Sequence, residues 1–118
     1  MTAETKLLAE VIRNVPDGAN WFISTDSYDG IKYILGSLLN ITKGDWIVNI
    51  TKVNRATVAE LIEKHGLAMK IVHTSVETKE RTVLLRGYDG MAFIGINENF
   101  YKELNRENIP ATLDIELD

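Results

Sequence analysis

The chain contains no cysteine. That absence excludes disulfides, thiolate nucleophiles and zinc sites built on thiolates, and it fits a reducing cytoplasm. No stretch approaches the roughly 18 apolar residues needed to cross a bilayer. The opening Met1–Lys6 also lacks the basic-then-apolar layout of a secretory leader, so a cytoplasmic, membrane-free setting is expected. The motifs of nucleophilic and phosphate chemistry are missing too. There is no Gly-x-Ser-x-Gly elbow, no glycine-rich phosphate loop and no Gly-Lys-Ser/Thr. Asp26 and Asp29 are close neighbours but lack the alternating oxygen ligands of a calcium loop.

Histidine is scarce. His65 falls at the expected end of a helix, where a cation meets loose carbonyls and the negative end of the dipole. His73 falls in an expected strand. No sequence motif brings a carboxylate to either ring for general-base work, and their spacing suits no metal. The residues thus point to no catalytic side chain, no metal and no cofactor.

What is present describes a globular domain. The 118 residues are 45% hydrophobic and 25% charged, which supports one core over residues 1–118. The net charge is −4, distributed unevenly: residues 1–50 carry four basic and six acidic side chains, 51–86 seven and four, and 87–118 two and seven. A basic middle precedes an acidic end, which reads first as two solvated faces.

Periodicity assigns the elements. Leu7, Leu8, Val11, Ile12 and Val15 form one helical stripe over 3–15, capped by Thr2 or Thr5 and ended by Pro16. Trp21–Ser24 reads as a strand. Residues 28–40 fit either an amphipathic helix capped by Asp26 or Ser27, the preferred reading, or the second arm of a hairpin. A strand over 46–53 follows the break at Lys43-Gly44. Asn54 is placed to cap a helix over 55–65, with Gly66 after it. Strands at 68–76, 81–87 and 91–96 form an expected meander. A helix over 98–106, capped by Asn97, precedes a strand at 113–117 with an acidic outer face. The fold class expected is α+β: an antiparallel sheet of about five strands packed against three to four helices.

Tyr-Asp-Gly occurs twice, at Tyr28-Asp29-Gly30 and Tyr88-Asp89-Gly90. Asp-Gly between apolar runs signals a turn. Tyr28, Asp29, Tyr88 and Asp89 are therefore candidates for a ligand-contacting loop pair, should they converge on one cavity. A second reading uses the basic segment 52–86. A helix followed by a basic-tipped hairpin is the order of a winged helix, with Lys52, Arg55, Lys79, Arg81 and Arg86 on nucleic acid. Glu77 and Glu80 at the same tip and the negative net charge oppose it. The preferred expectation is a small, non-enzymatic regulatory protein that binds another protein, a second copy of itself included, through an exposed aromatic or acidic surface. Trp21, Phe22, Trp46, Phe100 and Tyr101 are the aromatic candidates, and most of them are expected in the core.

Overall fold

The structure, a computed structural model, describes every residue from Met1 to Asp118. Ala3–Asn14 forms α1, whose first turn is capped where the Thr5 amide donates to Thr2 Oγ1 at 3.2 Å. Leu7, Leu8, Val11, Ile12 and Val15 are wholly buried, each aliphatic contributing about 1.5–3 kcal/mol by leaving water. The stripe packs on α3 (Arg55–His65) through Val58, Ala59 and Ile62. Arg13 and Glu63 pair between the two helices. Arg55 Nη1 donates to the Val15 carbonyl at 3.1 Å, which ties the end of α1 to the start of α3.

The segment 28–40 divides. Tyr28–Leu35 is helical (α2) and buries Ile31 and Leu35. Gly36 ends it at φ 53°, ψ −129°, where a Cβ is strongly disfavoured. After one 3-10 turn, Leu39–Thr42 runs as β2 into β3 (Asp45–Ile50). Lys43 and Gly44 both take positive φ, 52° and 84°, as a two-residue hairpin turn requires. The helix reading thus holds for 28–35, and the strand hidden behind it is a finding of the structure.

β1 (Ala19–Ser24) lies between β3 and β4 (His73–Glu77), and β5 (Val83–Tyr88), β6 (Phe93–Ile96) and β7 (Ile115–Leu117) complete the sheet. The order is β2-β3-β1-β4-β5-β6-β7. The expectation of about five strands is corrected to seven. The sheet is also mixed: β6 and β7 are parallel, every other pair antiparallel. The chain crosses back after β6 through the one-turn helix α4 (Glu98–Tyr101), so β7 enters from the same end as β6. α4 is shorter than the expected 98–106, and the meander begins late because Leu67–Lys70 is a 3-10 turn.

Alternation sorts the sheet into two faces. Trp21, Ile23, Val48, Ile50, Val76, Leu85, Ile94 and Ile96 are buried in one hydrophobic core with the helices. Two polar devices hold that arrangement. In the first, the buried Trp21 indole N–H donates to Thr74 Oγ1 at 2.7 Å, and that hydroxyl donates to the Phe22 carbonyl at 2.8 Å. In the second, Glu10, 3% exposed, accepts from Asn14 Nδ2 and the Asn105 amide on Oε2, and from Asn108 Nδ2 on Oε1, at 2.7–2.9 Å. A buried carboxylate is tolerated because several donors converge on it, and it clamps the crossover to α1.

Thr74→Val keeps the shape but orphans the indole N–H. It should cost about 1–3 kcal/mol, read as a lower urea midpoint with an unchanged m-value; wild-type stability would contradict the assigned bond. Glu10→Gln turns an acceptor into a donor facing donors. Hydrogen exchange at the Asn105 amide should accelerate while the central strands keep their protection.

Candidate functional site

The second face of the sheet carries no helix, and its cross-strand registers lay side chains out in rows. One row runs Ser24–His73–Tyr88–Phe93 across β1, β4, β5 and β6. The next runs Asn40–Ile47–Phe22–Ser75–Arg86–Gly95–Glu116 through all seven strands. Phe93 is 66% exposed and Tyr88 43%, high for large rings on a sheet. The His73 and Tyr88 rings meet edge to face at 5.3 Å, a favoured aromatic geometry.

A groove of about 370 Å³ opens where β1 ends and β3 and β4 begin. Phe22, Tyr28, Asp45, Trp46, His73 and Tyr88 are among its walls. Its size is at the small end of the roughly 300–1,000 Å³ of small-molecule sites. Tyr28 reaches it from the first turn of α2 and packs on Trp46, the ring centroids 4.5 Å apart at 49°. The approach to that turn is fixed locally. Thr25 Oγ1 accepts from the Ser27 amide at 3.0 Å and donates to the Lys70 carbonyl.

Beside the aromatic rows, Arg86 is held in place. Its Nη2 and Nε donate to Asp118 Oδ2 at 2.7 and 3.1 Å. Hydrogen bonding by Asp118 first, with Tyr88 adding to it, holds the guanidinium above its ordinary value. The sign is that of a group stabilised while protonated, so this contribution is present at neutral pH, where Asp118 is a carboxylate, and is lost as pH rises through the arginine range. The pair lies across Gly95. A Cβ there would stand 2.8 Å from Asp118 Oδ2 and 3.1 Å from Arg86 Nη2.

The residues singled out in the sequence separate in space. Tyr28 and Tyr88 line the same groove, but Asp29 is outside it and Asp89 lines a different hollow with Ser27 and Lys70. The four turn residues therefore do not share one cavity. Of the five cations, Arg86 is paired with Asp118 and Arg55 is bonded to Val15. The Lys52 amide is held by Asp17 Oδ1 at 2.7 Å. Lys79 and Arg81 border a polar hollow with Glu77 and Asp45. α3 belongs to the helix layer and β4–β5 to the body of the sheet, so this pair does not form the helix and wing expected of a winged helix. Of the aromatic candidates, Trp21 and Phe100 are core. Phe22, Trp46 and Tyr101 are half-buried. The last strand does not bury its apolar side as expected, since Leu117 is 46% exposed. Phe93 is the exposed ring outside that set, and its signal in the sequence is its alternation with Ile94 and Ile96, which puts it on the opposite face of the strand.

Gly95→Ala should force the Arg86–Asp118 pair open. Both ends are flexible, so the fold should persist while the Arg86 Hε resonance takes on the water exchange of a free arginine. An unchanged resonance would contradict the role given to Gly95. Comparison with protein-family models, with curated proteins and with solved structures returned no match.

Proposed function

We propose that this chain is a small cytoplasmic binding protein that acts, without catalysing a reaction, by docking another protein on the uncovered face of its sheet. The observation that carries the reading is the exposed row His73–Tyr88–Phe93, continuous with the ring-lined groove beside it. Large apolar rings in water are disfavoured unless something covers them, and tyrosine is among the residues that dominate binding energy at protein interfaces. The strands beneath are held by backbone ladders on both sides, so the rings project from a rigid base and little ordering entropy is lost on docking. The nucleic-acid reading has less support, because two of its five cations already have partners within the fold.

The test is a photo-crosslinking residue placed in turn at Phe93 and at Tyr33, the latter 89% exposed on α2. Irradiation in the cytoplasm should give a discrete protein adduct from position 93, lost on Tyr88→Asp, and none from position 33. A dimer-sized adduct would identify the partner as a second copy. No adduct at 93, or the same adducts from both positions, would overturn the reading.

A further inference from the structure

We infer that the groove bounded by Tyr28, Trp46, Tyr88 and Asp45 receives an arginine side chain of the docked protein. The inference rests on the proposed docking face and names the chemistry that the partner must bring to it. Three observations converge. First, the walls are ring-rich: Tyr28 and Trp46 are in contact, His73 and Tyr88 are in contact, and Phe22 also contributes. Ring faces carry negative charge density and attract a cation laid over them. Second, Asp45 is the groove's one carboxylate, and no lysine or arginine lines the groove with it. Third, that carboxylate is unpaired within the fold. The ion pairs of the molecule are Arg13–Glu63 and Arg86–Asp118, although Lys79 and Arg81 border the adjoining hollow that Asp45 also touches.

Such a site is complementary to positive charge and lacks an internal cation to fill it. Arginine suits it better than lysine. The guanidinium is planar, stacks on a ring and can still direct a two-toothed hydrogen bond to a carboxylate, whereas an ammonium does so as a compact, strongly hydrated point.

The test titrates the full chain with three blocked tripeptides, Gly-Arg-Gly, Gly-Lys-Gly and Gly-citrulline-Gly, followed by amide and indole shifts. Citrulline keeps the shape of arginine and removes its charge. The arginine peptide should move Asp45, Trp46, His73 and Tyr88 and bind at least about fivefold tighter than citrulline, with lysine between them. Asp45→Asn should remove that preference, and Tyr88→Leu should weaken the arginine peptide while leaving the α1 and α3 amides unmoved. Equal binding of arginine and citrulline, or shifts confined to other surfaces, would overturn the inference. The two failures are distinguishable. A crosslinked partner with no arginine preference would refute the ligand chemistry alone, whereas arginine selectivity without any crosslinked partner would refute the docking reading, and with it a docked protein as the source of the arginine, and leave only the groove's preference for a guanidinium.

Discussion

Trp21 lies on a central strand with no exposed surface, and its indole N–H must find a partner there or carry the full cost of desolvation. Thr74 Oγ1 accepts from it and in turn donates a hydrogen bond to the Phe22 carbonyl. This bond fixes the register of β1 against β4. A slip by one residue would exchange the two faces of the strand, burying Asn20 and Ser24 and exposing Trp21 and Ile23. The placement of Phe22, Ser24 and His73 on the uncovered side is thus the other half of the same constraint.

The helix layer and the open face have different roles. On one side, α1 and α3 pack on each other and share one hydrophobic core with the sheet, and Glu10 gathers neutral donors to hold the crossover that delivers β7. On the other side, polar and aromatic groups stand in rows, and their charges are treated unequally. Arg86 is neutralised by Asp118 over a glycine that leaves the space for it. Asp45 is left without an ion-pair partner at the mouth of the ring-lined groove. That inequality gives the open face its chemical character.

Several local readings depended on which neighbours a segment meets. The two Tyr-Asp-Gly copies show this most clearly. The first begins α2, with Gly30 inside the helix. The second is a β-turn region, with Asp89, Gly90 and Met91 all at positive φ. Three identical residues do not choose between these states. Thr25 anchors the first copy to Lys70, while the second joins paired strands whose Tyr88 and Phe93 stand opposite each other. Asn54 teaches a similar lesson. It sits at the cap position, yet its side chain bonds Thr51 in the preceding turn and the Asn49 carbonyl in β3 instead of the helix. β2 was hidden because Leu35, Leu38 and Leu39 keep helical spacing through the point where Gly36 stops the helix.

Sequence alone determined the features governed by neighbours a few residues away: α1 and α3 with their stripes, the stop at Pro16, the Asn97 cap and the α+β character. Apolar period and capping chemistry act within one or two turns, so they can be read along the chain. Tertiary structure decided the seven-strand order, the parallel last pair, the union of Tyr28 with Tyr88 in one groove, and the separation of their two aspartates. Backbone ladders accept nearly any side chain. Which strands pair, and which side chains then share a face, is settled by how the whole core closes.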